Sequence, residues 1–358
     1  MRFFRNAGFA PLFIVQSYHS VCSLFRSSTL ASASGCKTTD FEEFERGFVA
    51  LIRRGTCTFQ AKVENAAAAG AAGVVIMNEG TEGRTDVFSG QLSQLAPIPV
   101  VGVSYELGCS LDIAARGGAT MRLEVNAVIG KRLTRNVLAD TALNSGSSFI
   151  IVGAHRDSVP EGPGINDNGS GSAVVLEAAL RLARGPTQAR GSVRFAFWGA
   201  EERGLIGSRH HLGSLSDEVR RHIALYINLD MVGSPNFARF VQSSAATNEG
   251  LAAMVRREFL ADFREHNLTV EERAGGRFGS DDTPFAQKGI PTIGLYTGAG
   301  GPKSEIQASL FGGAAGRPYD PCYHRACDTI ENINRDVLEQ NTRALVRALN
   351  AAAIAAQR

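Results

Sequence analysis

The chain has 358 residues, 44% of them hydrophobic and 20% charged, with a formal net charge of +2. That balance fits a globular protein of one or two domains and gives no global field for nucleic acid or an anionic membrane. No apolar run approaches the ~20 residues that a membrane-spanning helix needs, and six cysteines are too few for a disulfide-held miniprotein.

Residues 1–34 carry Arg2, Arg5 and Arg26, no acid, and one short apolar run, Phe9–Val15, interrupted by Pro11. The charged start and Ala31-Ser32-Ala33 fit a secretory signal. The Arg/Ser-rich, acid-poor composition also fits an organelle transit peptide, and an unstructured or misassigned start is the third reading. From Cys36 to Arg122 the pattern predicts a small α/β unit. FVALI (Phe48–Ile52), VVIM (Val74–Met77) and IPVVGVS (Ile98–Ser104) read as strands, and Phe59–Ala72 has helical composition. Lys62, Glu64 and Glu79 are expected as solvated charges there. With no His/Asp/Glu cluster at ligand spacing, the unit is expected to be an accessory or lid domain.

From Asn136 a second domain begins. NVLA (Asn136–Ala139), FIIVGA (Phe149–Ala154), VRFAFW (Val193–Trp198), IALYINL (Ile223–Leu229) and IPTIGLYT (Ile290–Thr297) read as strands. Ser172–Arg184, Leu251–Phe263 and Arg335–Gln357 have apolar residues at helical spacing, and the first stops before Gly185-Pro186. Alternating strands and helices predict an α/β fold, a mostly parallel mixed sheet covered by helices on both faces.

Three of these strands stop at a metal-type ligand or an acid. Phe149–Val152 runs into His155 and Asp157, and a Pro/Gly-rich loop then delivers Asn166 and Asp167. Val193–Trp198 is followed by Glu201 and Glu202, and Ile223–Leu229 by Asp230. In an open α/β sheet that edge is where sites form. His155, Asp167, Glu202, Asp230 and His324 supply two imidazoles and three carboxylates, enough for two zinc ions if one carboxylate bridges. Asp167, in a tight Gly-rich loop opening a helix, is the natural bridge. Of the adjacent Glu201 and Glu202 one is a ligand, and the other is free to move protons beside the metals. Singly, each of these residues also reads as a loop anchor or a surface charge; successive strand ends of this kind are hard to explain by packing. His210 and His211 are expected on the surface, and neither Ser158 nor Ser172 sits in a nucleophile-elbow motif. Cys322 and Cys327 bracket His324 as a local disulfide or as a pair of thiolate ligands. The disulfide is preferred because no other close pair completes a four-sulfur site, and it favours an oxidising compartment.

Two resemblances add to this. ALIRRGTCTFQAKVENAAAAGAAGVVIMNEG followed by IPVVGVSYELG resembles a protease-associated (PA) domain, which implies a non-catalytic module over residues 35–130 and a Cys36–Cys57 disulfide, with Cys22 and Cys109 unassigned. GAHRDSVPEGPGINDNGSGSAVVLE, VRFAFWGAEERGLIGS, YINLDMVGSPN, SDDTPF and YDPCYHRACDTIENIN resemble the secreted double-zinc aminopeptidases of metallopeptidase family 28, over residues 131–358.

That second likeness implies two Zn2+, one held by His155, Asp167 and Asp230, the other by Asp167, Glu202 and His324. It implies Glu201 as general base toward a dizinc-bound hydroxide, Asp157 as the residue orienting His155, Tyr323 as oxyanion donor and a cis peptide after Asp167. It also implies an apolar pocket of Met231, Phe278 and Tyr296, peptide substrates with a free N-terminus, and a secreted or extracytoplasmic location. A carboxypeptidase or glutaminyl cyclase on the same fold, or a degenerate receptor-like non-enzyme, are the alternatives; the complete ligand set argues against both the single-zinc cyclase and the degenerate form. The chain departs from the pattern in three ways: Arg156 stands between His155 and Asp157, Gly279 precedes Ser280-Asp281 where an Arg is usual (Arg277 lies two residues earlier), and residues 1–34 do not resemble the flank with which relatives begin.

Overall fold

A computed structural model describes residues 10–14, 34–81, 84–88, 90, 92, 94–125, 133–141, 148–184, 192–244, 250–274 and 279–355. The chain divides into two compact units, Met1–Arg132 and Leu133–Arg358.

The first unit is a five-stranded sheet of β1 (Ala10–Ile14), β2 (Val49–Arg53), β3 (Gly73–Met77), β4 (Val100–Val103) and β5 (Thr120–Met121), in the order β4-β3-β2-β1-β5. Strands β1 to β4 are parallel and β5 is antiparallel to β1. β2 and β3 are continuous apolar runs because both of their faces are buried. Ala50, Ile52, Val74 and Ile76 pack with Val63 and Ala66 of α1 (Phe59–Ala68); Val49, Leu51, Val75 and Met77 pack on the opposite face with α2 (Tyr105–Arg116). Thr58 and Ser104 cap the two helices through their hydroxyls.

Residues 10–14, inside the stretch expected as a leader, are thus a strand of this sheet. Two of the charges expected on the surface are also buried. Lys62 donates to the Ser34 carbonyl and lies 3.6 Å from Cys36 Sγ, and burial lowers its pKa to about 8. The Glu79 carboxylate accepts from Arg84 at 2.5 Å. Glu64 is exposed. Cys36 and Cys57 form a disulfide, and Cys109 is also disulfide-bonded; Cys22 lies outside the described residues.

The second unit is built on a seven-stranded sheet: β6 (Val137–Asp140), β7 (Phe149–His155), β8 (Ser192–Trp198), β9 (Ile223–Leu229), β10 (Phe240–Ser243), β11 (Glu271–Ala274) and β12 (Thr292–Tyr296), in the order β11-β10-β12-β9-β7-β8-β6. Four of its pairings are parallel and two antiparallel. Alternate residues of the central strands enter opposite cores. Ile150, Val152, Ala154, Leu225, Ile227 and Leu229 pack under α3 (Gly171–Arg184), α6 (Gly250–Glu265) and α9 (Arg335–Ala355). Phe149, Ile151, Ala196, Trp198 and Tyr226 pack on the other face with Leu212 of α4 (Ile206–Ser214) and Phe285 of α7 (Asp282–Gln287). Short α5 (Asp217–Arg221) and α8 (Glu305–Phe311) complete the unit. Each fully buried Val, Ile or Leu of β7 and β9 contributes roughly 1.5–3 kcal/mol, so these two strands form a firm base for the residues at their carboxyl ends.

The parallel α/β expectation holds. Strands β10 and β11 were not legible. β11 reads Glu-Glu-Arg-Ala, an alternating edge strand without an apolar run, and the Arg273 guanidinium lies 3.5 Å over the Phe240 ring of β10.

Candidate metal centre

Strand register brings the candidates together. Gly153 of β7 pairs with Asn228 of β9, so His155 and Asp230, two residues further along each strand, arrive side by side. His155 pairs with Trp198 at the end of β8, and the chain then turns through Ala200 at φ 59° to present Glu201 and Glu202. Met231 and His324 also have positive φ, 51° and 58°. Three of the five described non-glycine residues with positive φ therefore adjoin or belong to this cluster, a concentration typical of functional sites.

Asp167 enters from the loop between β7 and α3, which is latched at several points. Asn168 donates to the Leu229 carbonyl at 2.8 Å, and the Asp328 carboxylate accepts from the backbone N–H of Asn166 and Asp167 at 2.8 and 3.1 Å. Asp320 accepts from the side chains of Asn166 and Asn332 at 2.6 and 2.9 Å. The peptide bond between Asp167 and Asn168 is cis. Asp320 and Asp328 stand four residues either side of His324 and tie its loop to that of Asp167. Sequence reasoning passed over both, although the symmetric spacing was available as a signal. The Cys322–Cys327 disulfide, Cα–Cα 5.2 Å, brackets His324, whose ring stacks on that of Tyr323 with centroids 3.9 Å apart. The thiolate-ligand alternative for these two cysteines is thereby set aside.

The donor atoms fall into two sets that share Asp167. His155 Nε2 lies 3.3 Å from Asp167 Oδ1 and 3.4 Å from Asp230 Oδ1; His324 Nε2 lies 3.0 Å from Asp167 Oδ2 and 3.2 Å from Glu202 Oε1. The two oxygens of Asp167 thus face different histidines. Tetrahedral zinc with bonds of ~2.0–2.1 Å has ligand–ligand edges of about 3.3 Å, so both sets have the spacing such an ion needs.

Proton logic agrees. His155 Nδ1 is 3.0 Å from the Asp157 carbonyl, which only accepts, so Nδ1 carries the N–H. In the neutral ring Nε2 then aims a lone pair at two carboxylate oxygens, and only a cation or an added proton reconciles the three. Burial opposes charge on both histidines, yet Asp230 and Asp167 raise His155 well above its ordinary value, and hydrogen bonds to Asp167 and Glu202 raise His324 to about 10. Asp167 goes the other way: burial would raise it, but both histidines bring it to about 2. The residues present fit a pair of divalent metal ions.

Asp157 serves two neighbours. Its carbonyl holds His155, and its carboxylate accepts from the Glu201 backbone N–H at 3.0 Å while standing 4.0 Å from His155 Nδ1. The expected orienting contact to His155 therefore runs through the main chain rather than the side chain. The Glu201 carboxyl belongs to neither donor set; burial, then Asp230, Asp281 and Glu202, push it up to about 9 against the charge of His155. Tyr323 is held in its protonated, donor form by burial and the adjacent carboxylates.

A cavity of about 160 Å³ opens over these groups and also touches Met231, Gln242 and Tyr296. Phe278 and Arg277 lie outside the described residues. Gly279 lines the cavity at φ 81°, a conformation that a side chain rarely adopts. Arg156 turns away and donates to the Arg135 carbonyl at 2.7 Å. His211, expected at the surface, is buried with its ring 5.2 Å from that of Trp198, and burial lowers its pKa to about 4; His210 is exposed.

This fold is that of zinc aminopeptidases of known structure. It matches the zinc aminopeptidase from Bacillus subtilis at a TM-score of 0.66 and 27% identity, over 96% of this chain and 74% of that one. The chain belongs to Peptidase family M28, whose profile matches residues 136–349; a PA domain profile matches residues 23–111. Among curated proteins it is 45% identical to an aminopeptidase of Pseudomonas aeruginosa over 88% of this chain and 59% of that one. It is 37% identical to leucine aminopeptidase 2 of Trichophyton rubrum over 89% and 65%. The chain thus spans about three fifths of the length of the curated relatives it matches.

Proposed function

We propose that this chain is a metal-dependent aminopeptidase that removes the N-terminal residue of peptides at a two-zinc centre. The observation that carries the reading is the pair of donor sets sharing Asp167, with the Glu201 carboxyl beside both and a ligand to neither. His155, Asp167 and Asp230 would hold one zinc, and Asp167, Glu202 and His324 the other. When bound, the ions supply Lewis acidity and lower the pKa of a water molecule.

The chain's own residues do the rest. Glu201 takes the proton of the attacking water and returns it to the leaving amine, a general-base and then general-acid role. With cations bound at the cluster, the Glu201 pKa would fall from its metal-free value, which would let it accept a proton near neutrality. The Tyr323 hydroxyl donates to the oxygen that becomes negative at the scissile carbonyl. Asp157 fixes both the His155 ring and the backbone of Glu201.

Substrate polarity follows from the wall. The described lining residues include no Lys or Arg to anchor a C-terminal carboxylate, while Glu201, a ligand in neither donor set, is a carboxylate that can accept from an α-amine. An aminopeptidase is favoured over a same-fold carboxypeptidase on that ground. Met231 and Tyr296 give the pocket an apolar side suited to residues such as Leu. The disulfides accord with an oxidising, extracytoplasmic setting.

The test is hydrolysis of leucyl-anilides by zinc-loaded protein, with a chelator control. Glu201→Gln is expected to lower turnover by roughly 10²–10⁴-fold while still binding two zinc ions per chain. A stoichiometry near one, or cleavage of N-blocked peptides only, would overturn the reading.

A further inference from the structure

Four hydrogen bonds run in series from the interior to Asp230. Trp198 Nε1 donates to Tyr226 Oη at 2.9 Å, and Tyr226 Oη donates to Asn228 Oδ1 at 2.8 Å. Asn228 Nδ2 then donates to Ser280 Oγ at 2.9 Å, and Ser280 Oγ to Asp230 Oδ2 at 2.6 Å. The direction of every proton is set by the two ends. An indole N–H only donates and a carboxylate only accepts, so each group between them passes one bond on, and the Asn228 amide has a single allowed orientation.

The surroundings hold this series still. Trp198 and Tyr226 are fully buried, and the Tyr226 ring lies parallel to that of Phe285, centroids 3.9 Å apart. Gly153 leaves the room for the first bond: a Cβ there would come within 2.6 Å of Trp198 Nε1 and 2.7 Å of Tyr226 Oη. At the far end, Asp230 Oδ2 is taken by Ser280. Oδ1 is buried and faces His155 Nε2 at 3.4 Å, with no other polar partner among the described residues.

We infer that Tyr226 and Asn228 are positioning residues which act through Ser280 to hold the Asp230 carboxylate with one oxygen presented to a metal ion. Strand β9 thereby supplies the support for its own ligand: residues 226 and 228 share a face of the strand, and residue 230 follows its end. A hydrogen bond from a neutral hydroxyl leaves the carboxylate its charge while removing its freedom to rotate. Supports of this kind typically change metal affinity 10–100-fold. The inference rests on the metal centre proposed above.

Zinc titration against a competing chromophoric chelator resolves the two affinities in wild type, Ser280→Ala, Asn228→Leu, Tyr226→Phe and Trp198→Phe, alongside the melting temperature of each metal-free protein. One affinity is expected to fall by about tenfold or more, most in Ser280→Ala and least in Trp198→Phe, while the other holds. Melting temperature should follow a different order, since Trp198 and Tyr226 are the most buried. Wild-type affinities in Tyr226→Phe and Asn228→Leu, or losses that follow the melting temperatures and strike both sites alike, overturn the inference alone. A wild-type chain that binds no zinc overturns the metal centre and this inference with it.

Discussion

Both units place polar residues at the carboxyl ends of parallel strands, and the outcome differs because of the charges they place there. In the first unit β2 ends on Arg53 and leads into Arg54, and β3 leads into Asn78 and Glu79. Cations of this unit meet the acid here: Arg53 donates to the Glu79 carbonyl, Arg84 pairs with one Glu79 carboxylate oxygen while the other has no hydrogen bond among the described residues, and the Arg54 guanidinium lies 4.7 Å over the Phe88 ring. In the second unit β7, β8 and β9 lead into His155, Glu201, Glu202 and Asp230, with Asp167 and His324 brought over them and no Lys or Arg among the described lining residues. One strand-end crevice is closed by its own cations. The other gathers carboxylates around two imidazoles with no Lys or Arg among its described lining residues, the arrangement the proposed metal centre needs.

The largest expected effect comes from removing the shared ligand. At zinc concentrations about 100-fold above the dissociation constants, each bound ion adds about 2.7 kcal/mol, so two add roughly 10–20 °C in melting temperature for a unit of this size. Asp167→Ala is expected to abolish that rise and to lose both zinc ions, because each donor set includes Asp167. Retention of one tightly bound zinc in Asp167→Ala would break the bridging assignment.

A second effect follows from the protons that stand in for the cation. With the His324 pKa raised to about 10 and that of His155 also raised, both rings are protonated in the metal-free chain at pH 7. Zinc needs their lone pairs, and Glu201, pushed up to about 9 in the metal-free chain, loses its proton as cations lower its pKa, so binding should release about two to three protons per chain at pH 7. Release should decline as pH rises toward 10, and zinc affinity should rise over the same interval. In the metal-free chain the sign is opposite for stability: the contribution of His324 is complete below its unfolded value near 6.5 and is lost as pH rises through about 10. Calorimetry in buffers of different ionisation enthalpy measures the release; a value near zero at pH 7 would show that the carboxylates do not hold these protons.

Legibility in the sequence tracked the same contrast. A site candidate at the end of a strand buried on both faces is announced by the strand, so His155, Glu201, Glu202 and Asp230 could be read from apolar runs that stop. Asp167 could be read from the glycine-rich loop around it. What escaped were polar residues whose burial is decided by partners distant in sequence. Lys62 and His211 have the residue types of a surface and the positions of an interior. Asp320, Asp328 and the Tyr226–Asn228–Ser280 series act through hydrogen bonds to residues up to 162 positions away. β11 was missed because a charged edge strand pairs through its backbone and leaves no apolar period to read.

The smallest expected effect lies in the first unit and tests whether the charge balance of its crevice is a local matter. Arg54 stands over Phe88 at 4.7 Å and Phe59 at 5.7 Å, and burial followed by Arg84 lowers its pKa. A methionine at this position keeps an apolar stem against the two rings and removes the charge. Cation–π contacts at partly exposed positions contribute ~0.5–1 kcal/mol, and removal of a charge that burial disfavours offsets part of that loss. Arg54→Met should therefore lower unfolding free energy by no more than about 1 kcal/mol, read as faster amide exchange in β2 and β3. Zinc affinity and leucyl-anilide turnover should stay at wild-type values, because no residue of either donor set comes from this unit. A drop in zinc affinity in Arg54→Met would mean that the charge balance of the first crevice is not a local matter, and the contrast between the two strand-end clusters would fail.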